Sequence, residues 1–137
     1  MHSENFLNCI TNRHCKRTFL DKDVSQEMIK DILQVASHAA SSKNSQPWQV
    51  SVVCGSKCRQ LAEVLCVKFD KKEFEKPDYV YMTEPMPDVY KKRARDCGYK
   101  LFELKNIDAK DYEARQQHNR ENFSFFGAPA VMFFHLH

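Results

Sequence analysis

A chain of 137 residues, 42% hydrophobic and 28% charged, has the size and composition of one globular domain able to bury a core, which excludes extensive disorder. Its formal net charge of +3, with acids and bases interspersed, argues against nucleic-acid or membrane-surface binding while leaving room for a local anion site. No apolar run approaches the roughly 20 residues that cross a bilayer, and the six cysteines (Cys9, Cys15, Cys54, Cys58, Cys66, Cys97) occur without a signal-peptide pattern, which reads as a reduced, cytoplasmic protein.

Residues 3–11 carry Phe6, Leu7 and Ile10 at helical spacing and predict a short amphipathic helix. A basic arm follows, Arg13-His14-Cys15-Lys16-Arg17-Thr18-Phe19. If the arm is extended, Arg13, Cys15 and Arg17 share one face and His14 and Lys16 the other, because side chains alternate along extended backbone. Two guanidinium forks beside a thiol suit a phosphate. Taken in isolation, the run reads more readily as a solvated basic turn between helices. Ser25 then reads as an N-cap, with Glu27 in the first turn where its charge meets the positive end of the helix dipole. Met28, Ile29, Ile32, Leu33, Val35, Ala36 and Ala39 continue a helical stripe expected to end near Ala40.

Between that helix and the next strand lies Ser41-Ser42-Lys43-Asn44-Ser45-Gln46-Pro47-Trp48, with small polar side chains, a rigid Pro and the only Trp. Such a joint can present hydrogen-bonding groups to a ligand from an anchored end, and it can also be a plain helix-to-strand turn. Gln49–Cys54 predicts a strand broken by Gly55, and Ser56 is expected to cap a helix through about Phe69. Cys54 and Cys58 have no second pair or His at ligand spacing, which argues for small core thiols rather than zinc.

From Asp70 to Asp88, the prolines Pro77, Pro85 and Pro87 oppose regular structure, while Tyr79, Tyr81 and Met82 offer apolar surface. This segment reads either as an excursion covering a pocket or as a mobile surface loop. Val89–Lys105 predicts a helix with Cys97, Leu101, Phe102 and Leu104 on its apolar side, and with Lys91, Lys92, Arg93 and Arg95 on a solvated face. Asp108 is expected to cap a further helix through about Asn122. Ala130–His137 is the most apolar run and predicts a strand buried on both faces, with His135 and His137 on one side. Two histidines without a third ligand are weak support for a metal, and no metal site is assigned.

Three glycines, none clustered, exclude the glycine-rich phosphate cradles of dinucleotide and P-loop proteins, so any phosphate must be held by side chains. No Gly-x-Ser-x-Gly elbow, His-Glu-x-x-His motif or convincing carboxylate pair is present, which argues against hydrolysis by a protein nucleophile.

The order of short helix, basic arm, Val-Ser-x-Glu-x-Ile helix, Ser41–Trp48 loop and strand resembles the N-terminal half of the FMN-dependent nitroreductase family. In that family the arm reads Arg-x-Ser-x-Arg/Lys and the loop Pro-Ser-x-x-Asn-x-Gln-Pro-Trp; the Phe125-Phe126-Gly127-Ala128-Pro129 segment is similar to the family's Phe-Ala-Pro stretch. The resemblance implies an α+β fold, a mixed or antiparallel sheet flanked by helices, over a single domain 1–137 that lacks its C-terminal part. It further implies FMN as cofactor, NAD(P)H as co-substrate, a nitroaromatic, quinone or similar acceptor, and a homodimer with FMN at the interface. Carried onto this sequence, Arg13, His14, Cys15 and Arg17 would line the flavin phosphate, ribityl chain or ring edge. Ser41, Ser42 and Asn44 would approach the flavin of the partner subunit. Cys15 stands where the family usually has Ser, and Ala40 where it usually has Pro. The rival expectation is a non-catalytic remnant that keeps arm and loop without a complete flavin site.

Overall fold

The computed structural model of the chain describes residues 2–79 and 85–136. Five helices, α1 (His2–Thr11), α2 (Gln26–Ala36), α3 (Gly55–Asp70), α4 (Asp88–Leu104) and α5 (Tyr112–Arg120), accompany strands β1 (Trp48–Cys54) and β2 (Ala130–Leu136). This is the expected α+β class. Tyr81, Met82 and His137, named in the expectations above, lie outside the described residues. By its internal contacts the chain divides into two compact units, residues 1–55 with 126–137, and residues 56–125.

In the first unit β1 and β2 pair antiparallel, from Trp48 opposite Leu136 to Cys54 opposite Ala130. Alternation places Trp48, Val50 and Val52 on the more covered side and Gln49 and Ser51 outside. Leu33 and Ala36 of α2 and Ala39 just beyond it border an open groove of about 440 Å³ with Trp48, Val50 and Phe134. Ser25 caps α2 as expected, its Oγ accepting from the Met28 N–H at 3.1 Å, and Ile29 is buried. The helix ends at Ala36 rather than near Ala40. There the Ser37 hydroxyl donates to the Gln34 carbonyl at 2.7 Å, and the backbone tightens through bonds from His38 to Val35 and from Ala39 to Ala36.

Strand β2 departs from the expected double burial. Ala130–Met132 are half-buried, whereas Phe133–His135 and Leu136 are exposed, because β1 is its one strand partner among the described residues. Among the described residues no group of metal ligands includes His135; its Nε2 lies 3.4 Å from the Ser51 hydroxyl. Gly55 breaks β1 as expected, at φ +58°, and its N–H donates to the Pro129 carbonyl at 3.1 Å; α3 already starts there, so Ser56 lies inside the helix instead of capping it.

The second unit buries Cys58 and Cys66 on α3 and His118 on α5. Cys54 and Cys97, expected in the core, are exposed. The rings of Phe69, Phe74 and Phe123 cluster, with Phe69 and Phe123 centroids 4.7 Å apart. Helix α5 is capped by Asp111, whose Oδ1 accepts from the Ala114 N–H at 2.9 Å. Asp108 instead accepts from the Lys110 N–H in the preceding turn, which shifts the helix start three residues beyond expectation. The Arg120 guanidinium donates twice to the Asp70 carboxylate, at 2.8 and 2.9 Å, and holds its pKa below the ordinary value. The solvated basic face of α4 is present: Lys91 pairs with Asp88 and Lys92 with Asp96, all exposed.

The Lys105 ammonium joins α4 to α5 by pairing with the Glu121 carboxylate and lying 3.1 Å from His118 Nδ1. Chiefly through that Lys105 hydrogen bond, the Glu121 carboxyl is held below its usual range. A depressed carboxylate contributes stability above its unfolded pKa and loses it as pH falls through the folded value. With 32% of the side chain still exposed, Glu121→Gln should cost about 1 kcal/mol at pH 7 and less at pH 3. Urea unfolding at the two pH values checks this, and an equal loss at both would contradict it.

Candidate flavin site

The arm leaves α1 where Asn12 and Arg13 donate backbone bonds to Asn8 and Ile10, and it continues through residues 13–20 without helix or strand, every residue exposed. One face is assembled as alternation requires: Arg13 Nη1 donates to Cys15 Sγ at 3.8 Å. Arg17 turns its guanidinium over the Phe126 ring, 5.8 Å from the centroid. His14 makes no side-chain hydrogen bond among the described residues. Among those residues no carboxylate lies within ion-pair distance of Arg13, Lys16 or Arg17. Three exposed cations within five residues, with no carboxylate at ion-pair distance among the described residues, raise the local positive potential.

The second group is the Ser41–Gln46 loop. Its backbone bonds run from Asn44 N–H to the Ser41 carbonyl and from Ser45 N–H to the Ser42 carbonyl, making one 3-10 turn. Ser41 Oγ accepts from the Gln46 N–H at 3.0 Å, and Asn44 Oδ1 accepts from Gln46 Nε2 at 3.3 Å. The internal bonds therefore use acceptors. The Ser41 hydroxyl hydrogen, both Asn44 amide hydrogens and the whole Ser42 hydroxyl remain for an external acceptor.

Backbone strain marks the same places. Lys43, Asn44 and Gln46 adopt φ of 53°, 54° and 45°, and Phe125 and Phe126 both adopt 55°. The left-handed region costs a non-glycine residue about 1 kcal/mol or more. The remaining cases, Lys72 and Asn106, follow helix ends, where that conformation is an ordinary stop.

The two groups are not adjacent within one chain. The loop enters β1 at Trp48, while Arg17 meets Phe126, and Lys16, Thr18 and Phe19 border a groove with Pro129, just before β2 starts at Ala130. Trp48 and Ala130 stand at opposite ends of the ladder, so a seven-residue strand, roughly 20 Å, separates arm from loop. No hydrogen bond or ion pair joins them among the described residues. Sequence reading found both groups but missed Phe126 as the arm's support; its one signal was the aromatic run ahead of Gly127-Ala128-Pro129.

Removing the Ser41 hydroxyl tests the loop's internal brace. Ser41→Ala deprives the Gln46 N–H of its partner, and a loss of about 1 kcal/mol should lower the melting temperature by about 4 °C. An unchanged melt would show that the loop holds its shape without that bond.

The chain matches the nitroreductase family over residues 10–137. It is 35% identical over 127 residues to the chloronitrobenzene nitroreductase of Comamonas testosteroni and 34% identical over 127 residues to the nitrobenzene nitroreductase of Ectopseudomonas oleovorans; both matches cover 91% of this chain and 56% of the relative. The chain thus spans little more than half the length of these relatives. Its fold superimposes with a TM-score of 0.91 on the crystal structure of the FMN-dependent nitroreductase NfnB from Mycobacterium smegmatis in complex with NADPH, at 28% identity, covering 99% of this chain and 61% of that one. In sequence and in fold, this chain belongs to the nitroreductase family.

Proposed function

We propose that the chain forms part of an FMN-dependent oxidoreductase that uses NAD(P)H to reduce a nitroaromatic, quinone or similar acceptor. The observation that carries this reading is the uncompensated charge of the arm. Arg13 and Arg17 offer forked donors and Lys16 a point charge, with no carboxylate among the described residues competing for them. That donor set fits a phosphate monoester dianion, and no glycine-rich cradle is available to do the same work. When bound, FMN supplies the redox chemistry, accepting hydride from the reduced nicotinamide and delivering electrons to the acceptor.

The protein's part is binding and orientation. Arg13 and Arg17 hold the phosphate end, with His14 and Cys15 alongside. The free donor hydrogens of Ser41, Ser42 and Asn44 would meet flavin acceptors. The separation of arm and loop at opposite ends of the ladder supports a homodimer with FMN at the interface, in which the loop of one subunit serves the flavin held by the partner's arm. Such a partner would also cover Phe6, Leu7 and Ile10 of α1, which are more than half exposed. The match over residues 10–137 supports reading both units as parts of one nitroreductase-like domain. Exposed thiols at Cys9, Cys15 and Cys97 suit a reducing, cytoplasmic setting. No helix among the described residues is long and apolar enough to cross a membrane. The rival reading as a non-catalytic remnant is not favoured, since arm and loop are both built and the match to the FMN- and NADPH-dependent fold covers 99% of the chain.

Arg17→Ala should weaken FMN binding at least tenfold if Arg17 makes a charge-assisted bond to the phosphate. Quenching of flavin fluorescence on titration measures it. Unchanged affinity would reduce the arm to a solvated basic turn.

A further inference from the structure

The Phe125-Phe126-Gly127-Ala128-Pro129 segment has so far only a place in the chain. We infer that Phe126 is a positioning residue of the flavin site: its ring holds the Arg17 guanidinium in the orientation that receives the cofactor phosphate. The inference rests on the reading of Arg17 as a phosphate ligand.

The Arg17 Cζ atom stands 5.8 Å from the centroid of the Phe126 ring, within reach of a cation–π attraction. Among the described residues, that ring is the partner recorded for the guanidinium; no carboxylate is within ion-pair distance. The distinction matters chemically. A carboxylate would fix the guanidinium but cancel its charge and repel an incoming dianion. An aromatic face fixes it while leaving the full positive charge and the in-plane N–H donors for the ligand. Arginine surrenders considerable rotamer freedom when immobilised, so restraint before binding lowers the cost of binding itself.

The backbone shows that the ring is held deliberately. Phe126 sits at φ 55°, ψ 26°, directly after Phe125 at φ 55° and directly before Gly127 at φ 75°. A glycine at 126 would adopt this conformation without strain, so a phenylalanine there is retained at a cost of about 1 kcal/mol or more. The segment is anchored on its far side, where the Gly55 N–H donates to the Pro129 carbonyl at 3.1 Å and Ala130 pairs with Cys54. The arm lies along it, Lys16, Thr18 and Phe19 sharing a groove with Pro129. The sheet thereby fixes the turn, the turn fixes the ring, and the ring aims Arg17.

The test uses the full chain with FMN and, separately, riboflavin, which lacks the phosphate. Phe126→Leu should weaken FMN binding about three- to fivefold, the range of an exposed cation–π contact, and leave riboflavin binding unchanged. Phe126→Tyr should restore wild-type FMN affinity, and Arg17→Ala with Phe126→Leu should bind FMN no more weakly than Arg17→Ala alone. In the ligand-free protein, the Arg17 Nε–H resonance should lose its ring-current shift in Phe126→Leu and keep it in Phe126→Tyr. Should Phe126→Leu fail to fold, Phe126→Gly, which relieves the left-handed strain, takes its place with the same expectations. If Arg17→Ala leaves FMN affinity unchanged, or the wild-type chain takes up no flavin, the phosphate reading falls and this inference with it. If Arg17→Ala weakens FMN binding while the ring-removing variants do not, or if they weaken riboflavin equally, the positioning role alone is overturned.

Discussion

The seven-residue antiparallel ladder between β1 and β2 is the constraint on which the first unit depends. It joins residues 48–54 to residues 130–136, a long-range pairing whose loop-closure cost must be offset by the ladder's hydrogen bonds and the apolar side chains between sheet and α2. Because the register is fixed, so is everything attached to its ends. Pairing of Cys54 with Ala130 brings Gly55 to Pro129 and sets the Phe126 turn beneath the arm; pairing of Trp48 with Leu136 leaves the Ser41–Gln46 loop at the other end. A slip by one residue would turn Val50 and Phe134 to the opposite face and dismantle both ends together.

Charge is arranged in two contrasting ways along the chain. Within residues 56–125 several cations are neutralised locally: Arg120 with Asp70, Lys105 with Glu121, Lys92 with Asp96. Each of these three cations has its carboxylate, and the Arg120 and Lys105 pairs tie helix ends together. The arm does the reverse. Arg13 meets a thiol and Arg17 an aromatic face, both neutral partners that orient a guanidinium without consuming its charge. An arm of exposed, uncompensated cations contributes little to folding stability. Exposed cations without a carboxylate at ion-pair distance among the described residues are available to an anion.

Much of this was legible in the sequence because it rests on local chemistry. Ser25 three residues before a backbone N–H specifies a cap, the stripe from Met28 to Ala36 specifies a helix, and Gln49–Cys54 alternates as strands must. What escaped depends on competition or on distance. Asp108 and Asp111 are equally able caps, and the one whose carboxylate reached Ala114 won. Ser37 ended α2 early through a single hydroxyl bond. The exposure of β2 is set by how many strands flank it, which an apolar run cannot reveal. His118 is buried because Lys105 and Phe102, far back in sequence, come to meet it. The ring under Arg17 comes from the other end of the chain, and only the ladder explains why the two meet.

We propose that the arm of one subunit and the loop of its partner together make a flavin site. The most direct measurement is the visible spectrum of the purified chain equilibrated with FMN and freed of unbound flavin, followed by NADPH without oxygen. The account predicts retained absorbance of oxidised flavin that bleaches when NADPH is added. A colourless protein that leaves the fluorescence of free FMN unquenched would contradict it.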